Sequence, residues 1–243
     1  ENWVNKLIAK PLPTLSKASE LVLKAIQEDN LSYLKLSEMI NRDPVLAFTV
    51  TTSANQKMGE NSEGCKTLEH AISMLGVEQL QQITRNIPIE KKALKDIGHF
   101  YYTRIVSSSL LAAQIAQEMA EIKRPELAHN IYWSALFLGA PLWYLWRFAA
   151  PEMRLIRYAI RSNFKLPEVA EQEVLGTTVE AISRQIISKL KPPQIISESL
   201  KPDKLPTPRQ WIALSQSVDG AGNPKRIYDA RLNLKINDPS FMI

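Results

Sequence analysis

Cysteine and histidine, the side chains that most often hold metals or act as nucleophiles, are scarce in this 243-residue chain. Its one cysteine, Cys65, excludes an internal disulfide and a zinc finger built on several thiolates, and it indicates a reducing compartment. The three histidines, His70, His99 and His129, precede Ala, Phe and Asn, so the sequence contains no His-Asp pair. A hydrolytic metal centre needs several imidazoles or carboxylates that converge on one point. The surroundings of the histidines show no such pattern, and we expect neither a metal nor another cofactor.

Other catalytic signatures are absent as well. The sequence has no glycine-rich phosphate loop with a lysine and no Gly-x-Ser-x-Gly nucleophile elbow. Cys65 has no histidine at the spacing of a known cysteine nucleophile, so we interpret it as structural. His70 and His99 are interpreted as solvated or capping residues. His129 follows Glu126 by three positions, and we expect it to make a structural hydrogen bond.

Charge is missing from one long stretch, residues 127–146, which contains no Lys, Arg, Asp or Glu. A segment of this length would suffice to cross a bilayer. However, His129 and Ser134 lie in its first half, and Pro141 interrupts its second half. We therefore predict a buried helix followed by the start of another, with no membrane span. No basic and then apolar leader opens the sequence, which together with the lone cysteine predicts a cytoplasmic protein.

The formal net charge is +5, from 30 basic and 25 acidic residues. The basic residues are scattered among acids, as in EKKALKD at positions 90–96, and no basic run interleaves with aromatic residues. This pattern is typical of a solvated surface. Nucleic acid stays open as a partner but is disfavoured.

Glycine is scarce, with 8 residues, whereas proline is frequent, with 15, which favours helices that begin at prolines over a sheet-rich fold. A capping side chain or a proline precedes most of the apolar stripes. The predicted helix starts are, in chain order, Thr14 or Ser16 after Pro13, Ser32, Asp43 before Pro44, Thr67, Val77, His99, Pro125, Pro151, Pro167, Thr177 or Thr178, and Pro208. The helix after Asp43 is predicted to end near Asn55, and the one after Thr67 at Gly76.

Two sets of residues are predicted to face the core. The first lies on the long helix predicted over residues 99–120 and comprises Ile105, Leu111, Ala112, Ile115, Ala116 and Met119. The second is an aromatic cluster, favoured as core over an exposed interface, that comprises Tyr132, Trp133, Phe137, Trp143, Tyr144, Trp146 and Phe148.

The last part of the chain differs in character. After a turn-rich stretch at 219–224, apolar and polar residues alternate strictly, which predicts a half-buried strand. The apolar members of this possible partner-binding strand are Tyr228, Ala230, Leu232, Leu234 and Ile236. Since no other strand is predicted, three arrangements stay open: pairing with a second copy in a homodimer, pairing with another protein region, or an extended arm on its own domain.

Several motifs of the first half occur in the order typical of one family. They are LPTL at 12–15, INRDPVL at 40–46, SAN at 53–55, TLEHAISMLG at 67–76, and Ser109-Leu110 with Ala113. Together they resemble the HDOD family, a branch of the HD superfamily found in bacterial signalling proteins. The resemblance continues more faintly to about residue 218.

The resemblance implies where the metal ligands of HD enzymes would stand. The segment ALFLGAP at 135–141 is similar to the element that carries His-Asp, which places Leu138 at the His and Gly139 at the Asp. Ser108 stands at an earlier His ligand, and Val179 at a later one. None of these four side chains is a ligand of a hydrolytic metal, so the resemblance implies a scaffold that has lost its metal site.

The resemblance thus implies an all-α, HD-like multi-helix bundle with a short C-terminal extended or strand-like tail. We divide the chain into an N-terminal extension (1–11), an HDOD helical domain (12–218, with subregions 12–98 and 99–218) and the tail (219–243). The expected function is non-catalytic bacterial signal transduction through a protein partner, a ligand or other domains of a signalling protein. The alternatives are a metal-dependent phosphohydrolase of the HD superfamily and a nucleic-acid-associated regulator.

Overall fold

The structure, a computed structural model, describes residues 3–27, 32–59, 64–65, 67–90 and 96–190. Within these ranges the chain forms α-helices joined by short connections. They are α1 (Trp3–Ile8), α2 (Ala18–Ile26), α3 (Tyr33–Asn41), α4 (Pro44–Met58), α5 (Leu68–Leu75), α6 (Val77–Asn86), α7 (Ile97–Lys123), α8 (Ala128–Leu138), α9 (Ala140–Phe148), α10 (Ala150–Ser162), α11 (Pro167–Leu175) and α12 (Val179–Leu190). A single 3-10 turn, Pro125–Leu127, precedes α8. The all-α prediction is confirmed.

Predicted capping residues hold the starts of α3, α4, α5 and α12. The hydroxyl of Ser32 accepts from the backbone N–H of Lys35, and that of Thr67 accepts from the N–H of His70. Gly76 ends α5 with a φ of +77°, a left-handed value that favours glycine. The capping signals in the sequence therefore fixed helix starts well, because each satisfies backbone N–H groups that a helix leaves unpaired.

Asp43 does more than cap α4. Its Oδ1 accepts from the N–H groups of Val45 and Leu46, at 3.0 and 3.1 Å. Its Oδ2 accepts from the N–H groups of Leu15 and Ser16 and from the Ser16 hydroxyl, each at 2.9 Å. The carboxylate is 1% exposed and so ties the segment before α2 to the start of α4. Because Asp43 binds the backbone N–H groups of Leu15 and Ser16, α2 begins only at Ala18, after the predicted caps Thr14 and Ser16.

The end of α4 lies later than predicted. The helix continues to Met58, and Gly59 with a φ of +86° ends it. Asn55, predicted as the helix end, is buried inside the helix, and its Oδ1 accepts from the N–H of Cys65 at 2.6 Å. The asparagine is therefore used to fix the following loop rather than to break the helix.

The segment predicted as an N-terminal extension is part of the packed domain. Trp3, Val4 and Leu7 on α1 are buried. The indole N–H of Trp3 donates to the carbonyl of Leu175 at 2.8 Å, which joins α1 to the end of α11. The first residues of the described chain thus pack against residues near its far end.

One hydrophobic core extends through both predicted subregions. Phe48 on α4 meets Phe137 on α8 and Trp143 on α9 in edge-to-face contacts, with ring centroids 5.1 and 5.6 Å apart. The predicted aromatic cluster lies in this core, with Phe148 partly buried and the other six residues buried. Residues 127–146 form α8 and most of α9, as predicted, and no helix among the described residues is long and apolar enough to cross a membrane.

The prediction for the inward face of α7 is largely wrong. Leu111, Ile115 and Met119 are 58%, 50% and 58% exposed, and Ala112 is exposed as well. Ile105 and Ala116 are partly buried, so the prediction that they face the core holds in part. The face of α7 that packs on α8 instead carries small residues, Ala113 and Ala120 among them. These small side chains allow the two helices to approach closely.

The tail lies outside the described residues, which end at Leu190. The strand prediction for residues 228–236, the helix predicted at 208–218 and the boundary at 218 therefore stay predictions. The described ranges hold one isolated parallel bridge, between Thr14 and Ile89, and no strand beyond it.

Candidate functional site

A hollow that includes two of the predicted metal positions lies between α7 and α10. Its inner part, about 530 Å³, is closed by residues of α9, α11 and α12. The lining residues are Tyr101, Arg104, Ile105, Ser108, Leu142, Trp146, Met153, Ile156, Arg157, Ile160, Arg161, Glu171 and Val179. We call this the inner hollow.

The inner hollow has an apolar floor and a cationic rim. Trp146, Met153 and Ile156 on the floor are 7%, 7% and 4% exposed. Arg104 from α7 and Arg161 from α10 are exposed at the rim. Such a hollow suits a ligand with a flat apolar part and an anionic part.

A second hollow of about 490 Å³ adjoins the first at the start of α7. It is lined by Asp96, Ile97, Phe100, Tyr101, Arg154, Arg157, Tyr158, Arg161 and Ser162. Tyr101, Arg157 and Arg161 belong to both hollows. We call the second hollow the outer hollow and the two together the arginine cleft.

Stacked planar groups form the boundary between the two hollows. The ring of Tyr101 stacks on that of Trp146, with centroids 4.3 Å apart and planes 28° apart. The guanidinium carbon of Arg157 lies 4.9 Å from the Tyr101 ring centroid, within the range of a cation–π contact. This stack fixes the direction of Arg157, whereas Phe100 and Tyr158 beside it are 55% and 62% exposed.

The charge of the arginine cleft is strongly positive. Arg104, Arg154, Arg157 and Arg161 line it, against two carboxylates, Asp96 and Glu171. Both carboxylates already accept from backbone N–H groups: Asp96 from Gly98 at 2.8 Å, and Glu171 from Val179 at 2.8 Å. Within the described ranges no carboxylate forms an ion pair with these arginines.

The structure brings together two of the four positions at which the resemblance places lost metal ligands. Ser108 and Val179 both line the inner hollow, across from each other on α7 and α12. Leu138 and Gly139 do not line it and lie at the junction of α8 and α9. A Cβ atom on Gly139 would overlap Ser109 Oγ and lie 2.8 Å from Ser109 Cβ.

Trp143 also fills the space beside Gly139. Its indole N–H donates to Ser109 Oγ at 3.0 Å, and its Nε1 would lie 3.2 Å from a Cβ on Gly139. Any side chain at position 139, including the Asp of an HD enzyme, would collide with this pair on the present backbone. The space beside Gly139 is therefore filled by Ser109 and Trp143.

The three histidines have structural partners. The side chain of His70 is exposed on α5, and the backbone N–H of this residue donates to the capping hydroxyl of Thr67. His129 lies within 3.0 Å of the indole N–H of Trp133, which donates to it, whereas Glu126 pairs with Arg124. The structural hydrogen bond predicted for His129 is present, with a different partner from the one its spacing suggested.

The interpretation of His99 as solvated or capping is wrong, because His99 belongs to a partly buried polar group that the sequence did not reveal. Its Nδ1 lies 3.0 Å from one carboxylate oxygen of Glu90, and Arg147 donates to the other at 2.9 Å. The Glu90 side chain is 3% exposed. Its partners stand 9 and 57 positions away, so no local spacing could have found this cluster.

Cys65 is buried, in agreement with its structural interpretation. Burial raises the pKa of its thiol, and its Sγ contacts the sulfur of Met58 at 3.4 Å. A raised pKa lowers the thiolate fraction at neutral pH, which disfavours a nucleophilic role.

Residues 12–203 match a family model, that of the HDOD domain. The chain belongs to the HDOD family. The match begins at Leu12, the residue at which the sequence motifs begin, and it confirms the resemblance. A comparison with curated proteins gives no significant match.

Solved structures share the HDOD fold of this chain. A virulence factor from Campylobacter jejuni subsp. jejuni has 16% sequence identity and a TM-score of 0.60, with 91% of this chain and 83% of the other covered. The MmoQ response regulator from Methylococcus capsulatus strain Bath has 16% identity and a TM-score of 0.61, with 81% and 77% covered. At this identity the likeness shows the fold alone.

The HD superfamily implies a divalent metal, but the described residues of the inner hollow do not fit one. Its carboxylate, Glu171, is bonded to a backbone N–H, and Ser108 and Val179 supply no imidazole. Arg104, Arg157 and Arg161 would repel a cation. Across the part of the chain that the structure describes, no group of three or more His, Cys, Asp or Glu side chains is placed to hold a metal ion.

Proposed function

We propose that this HDOD domain is a non-catalytic regulatory module of bacterial signal transduction that acts by binding. The observation that carries the proposal is the arginine cleft. It lies where the resemblance places two metal ligands of HD enzymes, and among its lining residues four arginines outnumber two carboxylates and no histidine is present. A cationic hollow with an apolar floor suits binding better than metal-assisted hydrolysis.

The fold of the relatives supports the signalling part of the proposal. One structure with the same fold is described as a response regulator. Response regulators work through contacts with other domains or proteins, and we propose a protein partner or further signalling domains for this chain as well. The scarcity of cysteine, with Cys65 the single one in the sequence, is consistent with the cytoplasmic location that we propose.

The competing function is metal-dependent phosphohydrolysis. The test is phosphoesterase activity of the full 243-residue chain with bis-p-nitrophenyl phosphate in the presence of Mn²⁺, Fe²⁺ or Zn²⁺. We expect no hydrolysis above that of the free metal, because the inner hollow offers one carboxylate, Glu171, and no imidazole to hold the metal. A metal-loaded HD phosphohydrolase serves as the positive control.

The variant Glu171→Gln makes this test sharper. Glu171 is the carboxylate of the inner hollow, so any metal-dependent activity that arises there must fall in this variant. Activity in the parent chain that is lost in Glu171→Gln would overturn the non-catalytic proposal. Equal activity in the parent chain and in Glu171→Gln would point to a contaminating phosphatase. A second, independent purification would then remove that activity.

A further inference from the structure

We propose that the arginine cleft binds a small nucleotide, that is, a ligand with a flat aromatic ring and phosphate groups. This inference deepens the proposed binding function and rests on it. Three features of the cleft lead to it: the arrangement of the arginines, the exposed aromatic faces and the size of the two hollows.

The arginines form a single cationic surface. Arg154, Arg157 and Arg161 lie at positions i, i+3 and i+7 of α10 and so share one face of the helix. Arg104 lines the inner hollow from α7. The four arginines outnumber the two carboxylates of the cleft, so their like charges repel, and an anion between them removes the repulsion. Guanidinium groups match phosphate oxygens because they donate two parallel hydrogen bonds.

Aromatic side chains stand beside this cationic surface. Phe100 and Tyr158 expose more than half of their surfaces in the outer hollow, next to Tyr101. Exposed rings beside arginines are the arrangement on which nucleobases stack in proteins. The apolar floor formed by Trp146, Met153 and Ile156 gives a second surface that a flat ring can cover.

The size of the cleft favours a free nucleotide over a polymer. Each hollow has about 500 Å³, within the common range for small-molecule sites. Buried residues, Trp146, Met153 and Ile156, form the floor of the inner hollow, so a ligand would lie against this floor from the solvent side. A nucleic-acid strand needs a continuous groove for several nucleotides, and an acidic peptide would leave the aromatic faces without partners.

The test is calorimetric titration of the full chain with ATP, GTP, CTP and UTP in EDTA, since the arginines replace a metal as counter-charge. Tripolyphosphate and the four nucleosides are titrated in parallel. We expect at least one triphosphate to bind, and its nucleoside and tripolyphosphate each to bind at least about tenfold more weakly, because ring and phosphates both contribute.

Variants locate the site. Arg161→Gln and Arg104→Gln are both at exposed positions and should fold, which circular dichroism checks. Each is expected to weaken nucleotide binding by at least about tenfold, since it removes a hydrogen bond between charged groups. Arg85→Gln, which removes the same charge from exposed Arg85 on α6 outside the cleft, is the matched control and should leave the affinity unchanged.

Three outcomes would overturn the inference. In the first, no triphosphate binds more tightly than tripolyphosphate. In the second, Arg85→Gln weakens binding as much as Arg161→Gln, which would indicate general charge attraction. In the third, single-stranded RNA binds tightly and no nucleotide does. None of these outcomes affects the non-catalytic proposal, which fails separately if the phosphoesterase assay shows turnover that depends on Glu171.

Discussion

Replacing Gly139 by alanine tests whether space remains beside this residue, where the resemblance places the Asp of HD enzymes. Gly139 has a φ of −74° and a ψ of −20°, values that any residue adopts, so backbone conformation does not require glycine there. Space does require it, because an added Cβ would overlap Ser109 Oγ and approach Ser109 Cβ to 2.8 Å. We therefore predict that Gly139→Ala destabilises the domain.

The size of the effect follows from opposing contributions. Alanine in a helical conformation is favoured over glycine by up to about 1 kcal/mol. Overpacking of a filled space costs about 1–3 kcal/mol. Movement of Ser109 also strains its hydrogen bond with the Trp143 indole, which contributes about 1 kcal/mol. The expected net loss in the free energy of unfolding is about 2 kcal/mol.

A double-mutant cycle isolates the steric contact from other effects. Ser109→Gly removes both Ser109 atoms that a Cβ at position 139 would meet. The free energy of unfolding is measured by urea denaturation for the parent, both single variants and the double variant. Alanine at position 139 should cost about 1–2 kcal/mol less when residue 109 is glycine. A coupling energy near zero, or a neutral Gly139→Ala variant, would refute the idea that Ser109 closes this space.

Three further predictions concern the packing of the domain. Asp43→Asn should lower the free energy of unfolding, measured by urea titration, by about 3 kcal/mol because it breaks buried charge-assisted hydrogen bonds. The control is Asp96→Asn, which changes a cap with one hydrogen bond at an exposed helix start and should cost no more than about 1 kcal/mol. Equal losses would contradict the tethering role of Asp43. The thiol of Cys65 should react with a disulfide reagent at pH 8 only as fast as the domain opens, because burial keeps the reagent away from the thiol and raises its pKa. A reaction rate in the native protein equal to the rate in urea would disprove its burial. Trp3→Ala should cost about 3 kcal/mol through lost burial and the lost bond to Leu175, and a neutral result would show that α1 is not part of the packed domain.

Local signals explain the part of the fold that the sequence could predict. Ser32, Asp43, Thr67 and Gly76 act within a few residues of their own positions, because caps satisfy the nearest unpaired backbone groups. Their effects can be read without knowing what packs against them. The hydrogen bond of Trp3 with Leu175, by contrast, joins residues 172 positions apart and has no local signature.

The error on α7 has a physical cause. Apolar periodicity shows that a helix has an apolar stripe, and Leu111, Ile115 and Met119 form one. Large apolar residues gain most from burial, so the periodicity alone predicts that these three residues face the core. The close contact with α8 instead needed small side chains such as Ala113 and Ala120, and periodicity does not reveal the distance between two helices.

The arginine cleft was missed because its two sides are distant in sequence. Arg104 on α7 and Arg157 on α10 are brought together only by the packing of these helices. One signal was nevertheless available, since Arg154, Arg157 and Arg161 repeat at helical spacing. A continuous basic run does not reveal this face, because a helical face carries its charges three and four residues apart.

Metal content is the most direct test of the central claim that arginines have replaced metal chemistry in this HDOD domain. The full chain is purified without chelators, dialysed against equal concentrations of Mn²⁺, Fe²⁺ and Zn²⁺, and analysed for bound metal by mass spectrometry. We predict far less than one equivalent of any metal, with no difference between the parent chain and Glu171→Gln. One equivalent of metal in the parent chain that is lost in Glu171→Gln would contradict the claim.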